Sequence, residues 1–534
     1  MDIDCLSFRK TGYFSELICD YIEADTKVAS LYNRFPDIKG FKGQIKEKGN
    51  NFSQESRQIL SAALLEQYKG FEPSEPTLKN IRFLQDKDTF TIVTGHQLNL
   101  FTGPLYFLYK IISTINLTHE LKKEFPDYNF VPVYWMATED HDFDEINYFN
   151  FQGKKIQWNI NASGAVGHLK TDGLEDVLKI FSNAIGNSKN ANALKDLFKA
   201  AYLDHDNLTD ATRYLADKLF GSHGLVIVDG DDIQLKRQLV PFVKQDILDQ
   251  PAFEVVSETA EKIRGISSEY NIQVNPREIN YFYLIEGVRE RIVENNGRYV
   301  VNNTRISFSK EELFVELESH PERFSPNVIA RPLYQEIVLP NLCYIGGGGE
   351  IAYWLELKSF FEVMGIPFPI LLLRNSALVI SGKQSGKLER MDLSIEDLFL
   401  KQNSLINKKI REISNIDIDF SPQKELLEEQ FKGMYELAKK TDKSFLKAVK
   451  AQEVKQKKGL DNLEKRLLKA QKRKLKDHVI RLTGVQNELF PGKSLQERNL
   501  NFSELYLAMG EELVPTLIKA LHPFSLNFTI VTIS

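Results

Sequence analysis

The chain has 534 residues, of which 42% are hydrophobic and 26% are charged, and its formal net charge is −5. The length predicts several domains or one core with large insertions, and the composition is that of an ordinary globular protein. The net charge gives no argument for nucleic-acid binding, and no apolar run approaches the ~18 residues of a membrane span. The three cysteines are too scattered for a disulfide framework or a cysteine zinc site. We therefore expect a cytoplasmic protein.

Five short apolar runs are typical of strands that are buried on both faces. These runs are 89–94, 130–136, 224–229, 341–345 and 369–374. Helical patterns follow three of them, over 104–123, 232–249 and 350–364. This alternation predicts an α/β fold with a parallel sheet. Ligands of such sheets bind beyond the carboxyl ends of the strands, so the polar stretches that follow the strands are the candidate sites.

The segments between these strands are unequal in length. Residues 150–220 and 251–325 are long and mixed in character, and structureless loops of that size are rare. We therefore interpret them as two insertions into a core that comprises residues 1–149, 221–250 and 326–384.

Residues 385–484 have the character of a helical arm. Gly and Pro become rare after Pro422, and apolar residues follow an interrupted heptad seam. We interpret this arm as a solvated coiled coil or dimerisation element in preference to a nucleic-acid arm, because no aromatic side chains interleave its basic ones after Phe445. Residues 485–534 then return to the core.

The first polar stretch, "TGHQLNLFTGP", lies between a predicted strand and a predicted helix. Its glycines allow a close backbone approach, and Pro104 suits a first helical turn. Free N–H groups and side-chain donors at a helix start favour an anion such as phosphate or carboxylate. A tight turn whose polar groups only cap the helix explains the pattern equally well. The candidate nucleotide- or anion-binding residues are Gly95, His96, Gln97, Asn99, Thr102 and Gly103.

The second polar stretch, "ATEDHDFDEINYF", holds six acidic or imidazole groups directly after a predicted strand. Clustered carboxylates can bind Mg²⁺ or a substrate ammonium and can raise one another's pKa for acid–base work. A helix N-terminus rich in acids explains only two or three of them. A metal centre would need further histidine ligands, which the spacing does not supply, so we assign no metal ligand. The candidate catalytic residues are Glu139, Asp140, His141, Asp142 and Asp144.

The third polar stretch contains four consecutive glycines between a predicted strand and a helix. Without side chains, the backbone there can lie directly against a nucleotide, and glycine runs lose entropy on folding, which favours a site over a flexible hinge. The glycines are Gly346, Gly347, Gly348 and Gly349. The candidate substrate-binding residues around them are Arg331, Gln335, Glu336, Glu350, Tyr353 and Trp354, with Arg374 as a weaker candidate. For Trp354, a place in the core is the alternative.

Four motifs follow one another over almost the whole chain. They are "TGHQLNLFTGPLY", "PVYWMATEDHDFDEIN", "RPLYQEIVLPNLCYIGGGGEIAYW" and "LFPGKSLQERNLNF". Together they resemble the cysteine-adding enzymes of bacillithiol biosynthesis. This resemblance implies a Rossmann-like core akin to class I aminoacyl-tRNA synthetases, two connecting-peptide insertions and an α-helical coiled coil that forms a homodimer.

The resemblance also implies an activity. Such a ligase would join the carboxyl of L-cysteine to the amine of glucosaminyl-malate by an amide bond, with the adenine nucleotide ATP as the energy source and Mg²⁺ as a candidate companion ion. The expected partners are then these small molecules and a second copy of the chain, without membrane or nucleic acid. The alternatives are a metal-dependent hydrolase that uses residues 139–145 and a coiled-coil scaffold. The ligase hypothesis requires the three polar stretches to meet in one cleft.

Overall fold

The structure is a computed structural model, and it describes residues 1–533. Its strands lie in one parallel sheet of five strands and three further sheets of five, three and two strands. In chain order the strands are β1 Asp2–Ser7, β2 Thr89–His96, β3 Asn129–Met136, β4 Tyr148–Phe151, β5 Lys154–Gln157, β6 Val226–Asp229, β7 Tyr281–Ile285, β8 Val288–Asn295, β9 Arg298–Val301, β10 Ser307–Phe308, β11 Phe324–Pro326, β12 Asn341–Gly346, β13 Ile370–Leu373, β14 Ala377–Ser381 and β15 Asn527–Ile533.

Helices account for most of the remaining chain. Up to the end of the core sheet they are α1 Phe8–Thr11, α2 Glu16–Ile22, α3 Ile38–Asn51, α4 Gln54–Gln67, α5 Glu75–Phe83, α6 Tyr106–Glu124, α7 Phe143–Ile146, α8 Leu174–Ile185, α9 Lys189–Tyr202, α10 Leu208–Phe220, α11 Ile233–Asp249, α12 Pro251–Ile266, α13 Lys310–Ser319, α14 Ala330–Val338, α15 Gly348–Trp354 and α16 Lys358–Val363. The later ones are α17 Gly382–Arg390, α18 Ile395–Leu398, α19 Gln402–Ile413, α20 Ser421–Ala438, α21 Lys443–Lys474, α22 Lys476–Leu489, α23 Gln496–Asn499, α24 Phe502–Met509 and α25 Leu513–Ala520.

The central sheet is parallel and has the order β6–β3–β2–β12–β13. All five of its strands coincide with the apolar runs in the sequence, so the prediction of an α/β fold with a parallel sheet is confirmed. Counted along the chain, the order is third, second, first, fourth, fifth. This is a doubly wound order, and it reverses between β2 and β12, where ligands of such sheets bind.

The strands of this sheet are buried because helices cover both of its faces. Helix α6 packs on β2 and β3, and α3 packs on β12 and β13. The core between these layers is apolar and includes Ile92, Leu117, Leu342, Ile345 and Leu372. Each such side chain contributes about 1.5–3 kcal/mol when it leaves water. The predicted helix over 350–364 is present as two short helices, α15 and α16.

The two long segments between core strands contain regular structure of their own. The first has the hairpin of β4 and β5 followed by helices α8 to α10. The second begins with α12 and then folds into an antiparallel sheet of order β10–β9–β8–β7–β11. We call this sheet the insertion sheet. The sequence predicted an insertion here without its strands, since β8 carries charged residues along most of its length.

Residues 380–493 form a separate compact unit of helices α17 to α22. Within it α20 and α21 are antiparallel, because Lys424 pairs with Asp461 at 2.7 Å whereas Glu428 pairs with Lys457 at 2.8 Å. Part of the heptad seam predicted from the sequence is therefore buried inside the chain, whereas its Leu446 and Leu463 remain exposed. Its Val449 packs on Phe431 of α20.

No helix within residues 1–533 combines the length and the apolar character that crossing a membrane requires.

Candidate functional site

The three polar stretches share one cavity of about 760 Å³ at the carboxyl ends of β2, β3 and β12. Residues 95–97, 139–141 and 347–350 all line it. They meet because the parallel strands that precede them are neighbours in the sheet, which brings their carboxyl ends to one edge. The cavity thus lies at the point where the strand order reverses.

Lys110 of α6 connects the loops that follow β2 and β12. Its Nζ donates to the Gly95 carbonyl at 2.6 Å and lies 2.6 Å from Oε2 of Glu350. The Glu350 carboxylate also accepts from the N–H of Gly347 and from the hydroxyl of Tyr344, both at 2.8 Å. Burial alone would raise the pKa of Glu350, but Lys110 and these donors outweigh it and lower that pKa.

Lys110 and Tyr344 were not among the site residues predicted from the sequence. A signal for Lys110 exists, since it is the one charged residue in the apolar stretch "YFLYKIIS" of α6. A lysine on a helix face that is otherwise buried requires a partner. Tyr344 gives no comparable signal, because a tyrosine within an apolar strand is an ordinary core residue.

The loop after β2 has an unusual backbone. Phe101 and Thr102 have φ angles of 48° and 67°, and Gly103 has 61°. Residues other than glycine adopt a positive φ at a cost of about 1–3 kcal/mol each, and contacts with the surrounding structure must offset that cost. A Cβ on Gly103 would come 2.6 Å from the Cβ of Asn99, so this glycine is required.

The fourth motif holds this loop in place. Asn501 donates to the carbonyl oxygens of Phe101 and Gly103 at 2.8 and 2.7 Å. The N–H of Leu105 donates to the Leu500 carbonyl at 2.6 Å. The C-terminal return of the chain therefore stabilises a loop that lies four hundred residues earlier in the sequence.

His96 is a neutral group at the inner end of the loop. Burial, with further contributions from Lys110 and Arg374, keeps the pKa of His96 well below its usual value of 6.5. Its Nε2 atom is buried and has no hydrogen-bond partner among the described residues. A neutral imidazole in this position can accept or donate one hydrogen bond to a ligand.

Gln97 joins the first polar stretch to the second. Its Nε2 donates to Oδ2 of Asp140 at 2.7 Å and to Oε2 of Glu145 at 3.0 Å. Asn99 donates to the Glu145 carbonyl at 3.3 Å, and Thr102 is buried beside it. These contacts fix the acid-rich segment against the loop that follows β2.

The acids of the second stretch have different surroundings. Glu139 forms an ion pair with Lys236 of α11 at 2.7 Å, and burial raises the pKa of Glu139 despite that lysine. Asp140 lines the cavity and is partly exposed. His141 accepts at Nδ1 from Arg289 of the insertion sheet at 2.7 Å.

The structure places two of the catalytic candidates outside the cavity. Asp142 and Asp144 are exposed and do not line it. The physical reason is that the chain turns into the short helix α7 after His141, so these side chains face water.

The cavity wall is cationic although the protein is acidic overall. It holds seven basic and three acidic side chains. The basic residues are Lys110, Arg277, Arg289, Arg291, Arg331, Arg374 and Arg498. The acidic residues are Glu139, Asp140 and Glu350. A cleft with this surplus attracts anionic ligands.

Two arginines beside the glycines have donors that no protein group uses. Arg374 is fixed by Oε1 of Glu497 at 2.7 Å and by the Asn375 carbonyl at 2.9 Å, which leaves its buried Nε without a partner. That Nε lies 3.7 Å from where a Cβ of Gly347 would be. Nη2 of Arg331 is likewise buried and unpartnered among the described residues. Two such donors beside bare backbone suit an oxyanion such as phosphate.

The structure corrects the assignment of three substrate-binding candidates, because their side chains lie in the interior and do not line the cavity. Trp354 has no exposed surface and stacks on Tyr344 with ring centroids 4.4 Å apart. Glu336 accepts from Gln335 at 2.9 Å and pairs with Lys48 at 3.6 Å. By contrast, Arg331, Glu350 and Tyr353 line the cavity, as do Gly347, Gly348 and Gly349, while Gly346 ends β12.

The donor set of the site does not resemble a metal centre. Within residues 1–533 no group of three or more His, Cys, Asp or Glu side chains is arranged to hold a metal ion. The acids of the cavity are instead engaged by lysine and amide partners, so the hydrolase alternative gains no support from the geometry.

Comparison with known protein families gives matches over both parts of the chain. The profile of "Bacillithiol biosynthesis BshC, N-terminal Rossmann-like domain" matches residues 1–375. The profile of "Bacillithiol biosynthesis BshC, C-terminal coiled-coil domain" matches residues 377–533. Together they confirm the predicted Rossmann-like core and the coiled coil.

Relatives of similar length match over nearly the entire chain. A protein of Flavobacterium johnsoniae named "Putative cysteine ligase BshC" is 58% identical over 533 residues, which is 100% of both chains. Proteins of the same name from Christiangramia forsetii and Bacillus cereus are 57% and 31% identical, and each alignment covers at least 98% of both chains. A crystal structure of a "putative arginyl t-RNA synthetase" from Campylobacter jejuni is 11% identical over 84% of this chain and 100% of its own, with a TM-score of 0.21, which is too low to support any argument.

Replacing Asn501 with Ala should destabilise the protein. Two buried carbonyl groups lose their donor, and each unsatisfied group costs about 1–3 kcal/mol. We expect a lower free energy of unfolding in chemical denaturation. Asn499→Ala is the matched control, because Asn499 makes a single hydrogen bond of 3.4 Å to a carbonyl. Equal stability of the two variants would contradict the role given to Asn501.

His96 should make stability depend on pH. The pKa of His96 is lower in the folded protein than its usual value of 6.5 in the unfolded chain. Above pH 6.5 the imidazole is neutral in both states, so it does not make stability depend on pH there. Below that pH the unfolded chain binds a proton that the folded chain does not, and stability falls by about 1.4 kcal/mol per pH unit from this residue. Denaturation at pH 5 to 8 should show a shallower slope in His96→Gln than in the unmodified protein. Identical slopes would show that His96 titrates normally.

Proposed function

The chain belongs to the bacillithiol biosynthesis BshC family, and on that premise we propose that it is a cysteine ligase whose reaction joins the carboxyl of L-cysteine to the amine of glucosaminyl-malate by an amide bond, with an adenine nucleotide as the energy source. The observation that carries the proposal is the shared cavity, in which bare glycine backbone, unpartnered arginine donors and carboxylates lie together. A scaffold protein would not need such a cavity.

The chemistry of amide formation explains why these groups are needed. A free carboxylate is a poor acyl donor because its oxygen is a poor leaving group, and a bound nucleotide would supply a phosphate-based one. Arg331 and Arg374 would hold the phosphate charge, with Gly347 to Gly349 leaving room for it. Donors fixed in advance stabilise charge that develops during the reaction without having to reorganise. Mg²⁺ would enter with the nucleotide.

The amine must be neutral before it can attack, so a base has to remove its proton. Among the cavity carboxylates, Glu139 is already paired with Lys236 and Glu350 with Lys110. Within residues 1–533 Asp140 forms no ion pair with a lysine or arginine, and Nδ1 of the adjacent His141 is 3.8 Å away. We therefore assign the role of general base to Asp140, which Gln97 orients.

The compartment and the assembly belong to the same proposal. The cysteines Cys5, Cys19 and Cys343 are all free, which suits a reducing cytoplasm. The coiled-coil unit retains exposed apolar side chains that α19 to α22 do not cover. These are Leu426, Leu437, Val454, Leu463 and Ile480. Exposed apolar residues on a helical hairpin suit a second copy of the chain, and we propose a homodimer through this unit.

The reaction is tested by mass spectrometry of the products from purified protein given ATP, cysteine and glucosaminyl-malate. We expect an adduct with the mass of both substrates less water, together with an adenine product. Asp140→Asn should lower kcat by about 10²–10⁴-fold, since a general base contributes that much. Asp144→Asn, in the same acid-rich segment but outside the cavity, should retain activity. Equal activity of the two variants would exclude Asp140 as the base, and no adduct from the unmodified protein would refute the ligase.

The homodimer is tested by sedimentation equilibrium. Leu426 and Leu463 lie at one level of the hairpin, because Lys424 pairs with Asp461 beside them. Changing both leucines to Ser should weaken the dimer at least tenfold while the helical circular dichroism is retained. The control changes two exposed lysines of the same helices, Lys432 and Lys469, to Ser. A monomeric unmodified protein at micromolar concentration would end the proposal.

A further inference from the structure

Six of the seven basic residues of the cavity belong to two groups that come from different parts of the fold, and the seventh, Arg498, comes from α23 of the C-terminal return. The inner group belongs to the central sheet and its helices, and its members are Lys110, Arg331 and Arg374. The outer group belongs to the second insertion, and its members are Arg277, Arg289 and Arg291. The reaction proposed above uses Arg331 and Arg374 of the inner group for phosphate and leaves the outer group without a role.

We propose that the outer group is a carboxylate subsite that recognises the dicarboxylate end of the amine substrate. The inference rests on the proposed function for the identity of that substrate, a sugar amine that carries two carboxylates. Such a subsite requires two or three guanidinium groups that face one side of the cavity. Guanidinium groups bind carboxylates with two parallel hydrogen bonds, which gives both affinity and orientation.

The insertion sheet aligns two of these arginines. Arg289 and Arg291 are two residues apart on β8, so their side chains leave the same face of the strand about 6.6 Å apart. Two carboxylates of a short dicarboxylate can each reach one of them at that spacing. Glu290, between them, is on the opposite face and pairs with Asn303 at 3.2 Å.

Arg289 is held rigidly and keeps free donors. Its guanidinium lies 4.1 Å over the ring of Phe282, Nε donates to Oγ of Ser325 at 3.1 Å, and Nη1 donates to His141 at 2.7 Å. Nη2 makes only a long contact of 3.4 Å to the Pro326 carbonyl. A guanidinium has five N–H donors, so at least two remain for a ligand.

Arg277 and Arg291 are cations without a protein counter-ion. Their side chains line the cavity and form no ion pair or hydrogen bond with any residue from 1 to 533. Arg323 of the same insertion, by contrast, pairs with Glu316 at 2.6 Å. Two uncompensated charges beside the fixed Arg289 make this part of the wall suited to a doubly charged anion.

The position of the subsite agrees with the rest of the cavity. Asp140 contacts Gln97 of the inner loop, and the next residue, His141, contacts Arg289 of the outer group. The acid-rich segment therefore lies between the two cationic groups. A substrate whose carboxylates lie against the outer group would have its amine near Asp140, on the side that faces the glycine backbone.

The test measures binding by calorimetry, so that it does not depend on turnover. Two amines are compared: glucosaminyl-malate, and methyl glucosaminide, which has the same amine and no carboxylate. The unmodified protein should bind the first at least tenfold more tightly. Arg277→Gln and Arg291→Gln should each weaken binding of glucosaminyl-malate by roughly tenfold to a hundredfold, as expected for a lost charged hydrogen bond, and leave methyl glucosaminide unaffected. Neither side chain has a hydrogen-bond or ion-pair partner among residues 1–533, so both variants should fold normally.

Arg298→Gln is the matched control, because Arg298 is on the neighbouring strand β9 and does not line the cavity. The proposal is overturned if the unmodified protein does not distinguish the two amines, or if both cavity variants bind glucosaminyl-malate as the control does. Adduct formation in the same preparations reports separately on the ligase. Selective binding without an adduct would refute the ligase and retain the carboxylate subsite. An adduct without selective binding would support the ligase and refute the carboxylate subsite.

Discussion

The site depends on the ion pair of the buried Lys110 with the partly exposed Glu350, at the point where the strand order of the central sheet reverses. Lys110 is almost completely buried, and within residues 1–533 its only ion pair is with Glu350 at 2.6 Å. Through this pair and the Gly95 carbonyl, the loops after β2 and β12 are joined although they are 250 residues apart in sequence. Removing Glu350 should cost about 3–5 kcal/mol, because it would leave the charge of the buried Lys110 uncompensated.

The need to hold the groups around the cavity in place also explains why the C-terminal residues return to the core. The loop after β2 has two non-glycine residues with positive φ, and Arg374 lies beside it with its guanidinium fixed in one orientation. Asn501 donates to the backbone of the loop, and Glu497 accepts from the guanidinium of Arg374. Both belong to the motif "LQERNLNF", which is close to the site in space and remote from it in sequence. A strained loop persists only where its surroundings determine its conformation, and this motif provides those surroundings.

The electrostatics of the cavity follow from its construction. Each inward acid has a specific partner, Lys236 for Glu139 and Lys110 for Glu350, whereas several arginines keep free donors. The surplus of positive charge is therefore available to ligands and is not used up in the fold. A protein that binds a nucleotide together with a substrate carrying carboxylates needs such a surplus. The net charge of −5 for the whole chain gives no indication of it.

The sequence by itself determined the strands of the central sheet, the positions of the three polar stretches and the coiled-coil arm. It could do so because continuous apolar runs and heptad spacing are local patterns that report burial directly. It also favoured a functional role for the glycine run, three members of which line the cavity.

Only the tertiary structure decided which polar residues face the cavity. Trp354, Gln335 and Glu336 lie inward, Asp142 and Asp144 lie outward, and Lys110 of α6 reaches the cavity from a helix face that is otherwise apolar. The arginines of the insertion sheet and the seam partners of α21 were likewise invisible in the sequence. The physical reason is that a side chain's environment is set by the elements packed against it, and these come from segments whose separation along the chain carries no information about their distance in space.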